Sequence, residues 1–137
     1  MKTIVYTLVL FGLLAVQQAD AAAPRQQFIC LKCNTKIQKS TRPNVSYCSA
    51  TGNHNWHSLG QTGKQIFVCI KCKLKVNMKN RPSVSYCFAR GNHNWYLLGT
   101  RGSKKFYCRK CKLRVSTTSR PGVSYCFSGG NHNWDQL

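Results

Sequence analysis

From residue 28 onward the apolar positions come in short bursts divided by polar stretches. The clearest burst, Ile66, Phe67, Val68 and Ile70, enters a Cys-x-x-Cys step, beyond which Lys73, Leu74, Lys75 and Val76 alternate polar with apolar. Alternation with a period of two marks a half-buried strand, and two such segments around a tight turn predict a β-hairpin. A Gly-Asn-His-Asn-Trp segment further on is expected to return as a third strand or turn. The stretch between them, residues 38–44 in its first occurrence, is polar and broken by Pro43. The expected fold class is therefore small and β-rich, with little or no helix in the mature chain.

The N-terminus follows a different pattern. Lys2 precedes an apolar run over residues 3–16, and Ala19 and Ala21 then form an A-x-A step. These are the parts of a secretory signal peptide, assigned to residues 1–21 with cleavage after Ala21. A membrane anchor would need about 18 or more apolar residues. The protein is expected to be secreted and extracellular.

Aligned on itself, the chain repeats every 39 residues, at Cys30, Cys69 and Cys108, and again at Trp56, Trp95 and Trp134. The three copies occupy residues 28–59, 67–98 and 106–137. Each reads aromatic-x-Cys-x-x-Cys, a basic-apolar alternation, Arg-Pro-x-Val-Ser-Tyr-Cys, Gly-Asn-His-Asn-Trp and a last leucine. The joints Gly60 to Gly63 and Gly99 to Gly102 read as flexible spacers. The third copy ends with the chain itself, so each unit is expected to close its own structure rather than share a core as solenoid repeats do. Chains below roughly 40 residues usually need a metal or disulfides to hold a fold, and the cysteines must supply that staple.

Within each unit the spacing is C-x2-C-x14-C-x5-H. The sets are Cys30, Cys33, Cys48 and His54; Cys69, Cys72, Cys87 and His93; and Cys108, Cys111, Cys126 and His132. Three thiolates and an imidazole complete a tetrahedral zinc shell, and with no open position the three Zn2+ ions would be structural. The competing reading is a disulfide framework, favoured by the oxidising compartment. Three cysteines per unit and nine per chain cannot all pair internally, so that reading needs a free thiol, cross-unit bridges or a covalent dimer. A zinc-bound chain is expected to be monomeric. The Cys-x-x-Cys hairpin with a Cys/His second ligand pair resembles a zinc ribbon, in tandem. The resemblance is to a general architecture and implies structural metal without an activity. Zinc ribbons often carry Gly after the second cysteine, where Asn34, Lys73 and Lys112 stand here.

The aromatic residues Phe28, Tyr47, Trp56 and their counterparts are expected to form a small core around each metal, leaving Phe88, Phe127, Tyr96 and Tyr107 more exposed. The asparagines beside each histidine are expected to orient its ring, and the unrepeated His57 to be an ordinary surface residue.

Charge adds the functional content. The chain holds 21 Lys and Arg against 2 Asp and Glu, a formal +19. Mechanisms built on paired carboxylates or an Asp-supported histidine are nearly excluded, so no catalytic residue and no small-molecule substrate is expected. Lys71, Lys73 and Lys75, and Lys110, Lys112 and Arg114, would project a row of charge if they lay on strands. With Arg81 and Arg120 they form the expected polyanion-binding set, weaker in the first copy with Lys32 and Lys36. The expected partner is an anionic polymer: a microbial envelope polymer, a sulfated glycan, anionic lipid or extracellular nucleic acid, with a host-defence, antimicrobial use in view. Two alternatives are a nucleic-acid-binding zinc-ribbon protein and a disulfide-crosslinked structural protein. A thiol-disulfide oxidoreductase is disfavoured, since no βαβ pattern surrounds the Cys-x-x-Cys pairs. Asn44 heads an N-glycosylation sequon found in the first copy only.

Overall fold

The structure, a computed structural model, describes residues 23–137. The signal peptide assigned to residues 1–21 lies outside the described residues. Seven strands follow one another: β1 (Gln26–Cys30), β2 (Lys36–Lys39), β3 (Trp56–Cys69), β4 (Lys75–Met78), β5 (Trp95–Cys108), β6 (Arg114–Thr117) and β7 (Trp134–Gln136). Every strand pair is antiparallel, and the described residues contain no helix. The helix-poor, β-rich expectation is met.

Each repeat builds the same three-stranded sheet. A strand entering the first cysteine lies between the hairpin partner that follows the Cys-x-x-Cys turn and a returning strand that begins at tryptophan. Phe28, Phe67 and Phe106 face Ile37, Val76 and Val115 across the hairpins. Cys30, Cys69 and Cys108 face Trp56, Trp95 and Trp134 on the other side.

The joints are not flexible. Gly60 to Gly63 and Gly99 to Gly102 lie inside the 14-residue strands β3 and β5. The first half of β3 closes the first repeat by pairing with β1, and its second half is the central strand of the next, between β4 and β5. The glycines answer to local geometry instead. Gly60, with φ +112°, and Gly99, with φ +148°, stand beside register shifts in the ladders with β1 and β3. At Gly63 and Gly102 a Cβ would stand 2.5 Å from the backbone nitrogens of Lys79 and Thr118.

The first unit closes a core of its own, Phe28, Cys30, Cys48 and Trp56, but the second and third do not. Ile29 and Leu59 of the first repeat are buried with Phe67, Val76, Met78 and Trp95 of the second, and Ile66, Val68 and Leu98 of the second with Phe106, Val115 and Trp134 of the third. Backbone bonds repeat the coupling, from Ser83 N–H to Leu59 C=O at 2.9 Å and from Gly122 N–H to Leu98 C=O at 2.7 Å. Alternate residues of a strand point to opposite faces. Phe67 and Cys69 therefore serve their own core while Ile66 and Val68 serve the next, which is why residues 66–69 are apolar without interruption. In the third copy the corresponding outward positions are Lys105, exposed, and Tyr107, half-buried.

Candidate metal centres

The Cys-x-x-Cys turn is set by its backbone. The N–H groups of Asn34, Lys73 and Lys112 donate to the carbonyls of Cys30, Cys69 and Cys108 at 3.0, 2.8 and 2.9 Å. Those three residues are left-handed, with φ of 59°, 62° and 62°. The position thus takes the left-handed conformation that favours glycine, with asparagine tolerating it and lysine bearing a steric cost. A second turn presents the other ligands. Cys48, Cys87 and Cys126 donate their N–H to Gly52, Gly91 and Gly130 at 2.6, 2.8 and 2.8 Å, each glycine with positive φ.

Tryptophan positions the histidine. Each indole stacks on the imidazole two residues earlier, with centroids 4.6 Å apart in all three repeats. Its Nε1–H is anchored on the carbonyl of Asn44, Ser83 or Gly122 at 2.8, 2.8 and 3.0 Å. The flanking asparagines act through their backbone instead: the carbonyls of Asn55, Asn94 and Asn133 accept the N–H of Leu31, Ile70 and Arg109 at 2.9 Å. Their expected role of orienting the ring thus falls to tryptophan.

The sets named from spacing come together as three compact groups. In each, the four ligand atoms lie within 4.8 Å of one another. Cys30 and Cys48 Sγ are 3.8 Å apart, Cys69 and Cys87 3.8 Å, and Cys108 and Cys126 3.9 Å. The histidines present Nδ1, at 3.6, 3.5 and 3.4 Å from Cys33, Cys72 and Cys111. All nine cysteines are free, and an S–S bond of about 2.0 Å is far from these separations. The Nε2 atoms of His93 and His132 are buried without a polar partner, beside the edge-to-face rings of Phe88 and Phe127. In the first repeat Ser49 replaces that ring and His54 is less buried.

The surroundings split the thiols. Burial opposes ionisation of Cys108, but the backbone N–H of Cys111, the His132 side chain and the N–H of Asn133 outweigh it and bring it to about 6. Cys30 is brought to about 7 in the same way, against burial, by the N–H groups of Cys33, Lys32 and Asn55. Burial first, then the neighbouring thiols, pushes Cys72 up to about 12 and Cys111 to about 11. Each group thus sets a thiol eased toward ionisation, Cys30, Cys69 or Cys108, beside one that burial holds back, Cys48, Cys72 or Cys111.

The expected polyanion-binding residues divide. Lys71 and Lys110 fold back, their Nζ donating to the Arg90 and Asn92 carbonyls at 2.7 and 3.1 Å and to those of Gly129 and Asn131 at 2.9 and 3.2 Å. Arg81 and Arg120 donate to the Trp95 and Trp134 carbonyls at 3.2 and 2.8 Å. Lys73 and Lys112 occupy the left-handed turn position. Only Lys75 and Arg114 begin strands, so the expected sets do not form a row along one strand. A row runs across the repeats instead. Lys36, Lys75 and Arg114, 39 residues apart, start β2, β4 and β6. Lys36 and Lys75 share a groove of 350 Å3, while Lys75, Lys105 and Arg114 share the next, of 280 Å3. Lys75 donates to the Arg114 carbonyl at 3.1 Å, and burial, then the charge of Lys36, holds its ammonium below the ordinary lysine value. Among the described residues the one ion pair joins Arg109 to Asp135.

Two aromatic expectations change. The tryptophans are core, but Tyr47, Tyr86 and Tyr125 are exposed, and Phe88, Phe127, Tyr96 and Tyr107 are half-buried. His57 is not a bystander: its ring packs edge-on to Tyr86 at 5.0 Å, and its Nε2 is 3.3 Å from Ser83 Oγ. Tyr96 takes the same place against Tyr125, at 5.3 Å. Asn44 is exposed and carries the sequon.

No family model, curated protein or solved structure matches the chain. Among the described residues, fold and site together define an all-strand repeat array whose three Cys3His groups can each hold a metal ion.

Proposed function

We propose that each Cys3His group binds one structural zinc ion and that the resulting array is a secreted, non-enzymatic binder of extended polyanions. A zinc tetrahedron with Zn–S of about 2.3 Å and Zn–N of about 2.0–2.1 Å has S···S edges near 3.8 Å and S···N edges near 3.5 Å. The Sγ···Sγ separations of 3.8 to 3.9 Å and the Sγ···Nδ1 separations of 3.3 to 3.6 Å match those edges. Four protein ligands fill the shell, so the ion would hold the fold rather than activate water. Each group then carries three thiolates and one Zn2+, a net −1, leaving 19 − 3, or about +16, on the chain.

The observation that supports polyanion binding most directly is the row Lys36, Lys75 and Arg114, repeated across units joined by continuous strands. A row of this kind suits a polymer lying across the repeats, gaining avidity from successive contacts. Microbial envelope polymers are one such surface, and a host-defence use would follow from binding them.

Two measurements test the reading. Native and denaturing masses with a thiol count should give three zinc ions and nine thiols. Zinc-free protein with one free thiol or none would instead mean a bridged chain. Binding to heparin should weaken steeply with added salt. Reversing Lys36, Lys75 and Arg114 to Glu should weaken it far more than reversing three other exposed basic residues. Equal losses from both triple variants would remove the row from the mechanism.

A further inference from the structure

Besides the cationic grooves, the junctions form a second pair of clefts related by the 39-residue repeat. One is lined by Leu31 of the first repeat and by Ser85, Tyr86, Phe88 and Asn92 of the second, with a volume of 620 Å3. The other, of 640 Å3, places Ile70 opposite Ser124, Tyr125, Phe127 and Asn131. Both fall within the range of ligand clefts, about 300–1,000 Å3.

The tyrosines are the unusual element. Tyr86 and Tyr125 are left-handed, each with φ 61°, yet their side chains are 62% and 57% exposed. A bulky residue in that region costs of order 1–3 kcal/mol, and such strain gathers where a side chain is aimed for use. Core packing does not account for it. The upstream unit braces each ring edge-on, through His57 or Tyr96. In the first repeat, Tyr47 lacks the left-handed backbone.

We infer that these two clefts each take sugar rings of an anionic polysaccharide, with Tyr86 and Tyr125 as stacking platforms. This rests on the polyanion reading above and narrows it to a glycan. The lining pairs one-sided aromatic surface with hydroxyl and amide groups, as a pyranose requires, since its C–H face is apolar and its rim polar. Here Phe88 and Phe127 are engaged edge-to-face with His93 and His132, so each cleft offers one tyrosine face. A cation borders each cleft: a Cβ on Gly91 would lie 3.8 Å from Lys71 Nζ, and one on Gly130 3.6 Å from Lys110 Nζ. The carboxylate or sulfate of an acidic sugar would meet that charge while its ring meets tyrosine.

The test compares three probes by calorimetry on the full mature protein at one salt concentration: heparin, sugar-free inorganic polyphosphate and a single-stranded oligonucleotide. The variant is Tyr86→Asn with Tyr125→Asn, since asparagine accepts the left-handed backbone. A companion, Tyr86→Phe with Tyr125→Phe, keeps the ring. Heparin affinity should fall about tenfold in the asparagine variant and hold within about threefold in the phenylalanine variant, with polyphosphate affinity unchanged in both. If the parent protein binds none of the probes, the polyanion reading falls and this one with it. If the parent binds heparin and polyphosphate but the asparagine variant loses neither, or both equally, only the sugar clefts are overturned. A loss confined to the oligonucleotide would make them base-binding clefts and end the glycan assignment.

Discussion

Leu59 and Met78 share one buried cluster although they belong to successive repeats, each about 1% exposed. The last leucine of the first unit is thus a core residue of the second. Leu98 repeats the relationship in the third unit's core, whereas Leu137, at the same repeat position, is 66% exposed.

Leu59→Ala should therefore destabilise the protein by about 2–5 kcal/mol, the range for buried leucine truncation. Leu137→Ala should cost less than about 0.5 kcal/mol. Urea unfolding of zinc-loaded protein measures both. Equal, small effects would restore the picture of independent units.

Gly102→Ala is expected to be costly although the segment looks like a linker, because its Cβ would collide with the Thr118 backbone. Overpacking of this kind costs typically about 1–3 kcal/mol. A thermal midpoint within a degree of the parent would mean that β5 is not continuous through the joint.

Lys112→Gly should act the other way. Lys112 holds φ 62°, and releasing that strain should stabilise the protein by about 0.5–1 kcal/mol after the entropy cost of glycine. Lys105→Gly, in the middle of β5, should destabilise it. Denaturant midpoints with unchanged zinc content decide the matter.

His57 makes the first junction sensitive to acid. Burial lowers its imidazole below the ordinary 6.5, so between the two values the unfolded chain binds more protons than the folded one. Stability from this group is complete above about pH 6.5 and is lost as pH falls through the folded value. At the equivalent place in the second junction stands Tyr96, a phenol instead of an imidazole. The difference in thermal midpoint between His57→Tyr and the parent should therefore grow in favour of the variant from pH 7.5 to pH 5. A constant difference would mean that His57 does not titrate at the junction.

The ligand sets were legible in the sequence because metal geometry imposes local spacing. A Cys-x-x-Cys turn places two sulfurs at one point through hydrogen bonds within about five residues, and the 39-residue repeat prints that spacing three times. The hairpins were legible for a similar reason, since alternation along Leu74 to Val76 reports which side of a strand is buried. The repeated tryptophans and the Arg-Pro step were visible as motifs, and their work as braces for the histidine loop depends on bonds 12 to 14 residues apart.

By itself, then, the sequence determined the repeat, the strands around each cysteine pair and the twelve candidate ligands, all of which depend on neighbours close along the chain. Tertiary structure alone decided that the glycine joints are strands, that Ile29 and Leu59 serve a neighbour's core, and that Lys36, Lys75 and Arg114 form the row. Glycines at a bulge and glycines in a linker look alike in sequence, because a bulge exists only once a second strand sets the register. In the same way, an apolar residue on the outward face of one strand has no reason to be apolar until the next repeat folds against it.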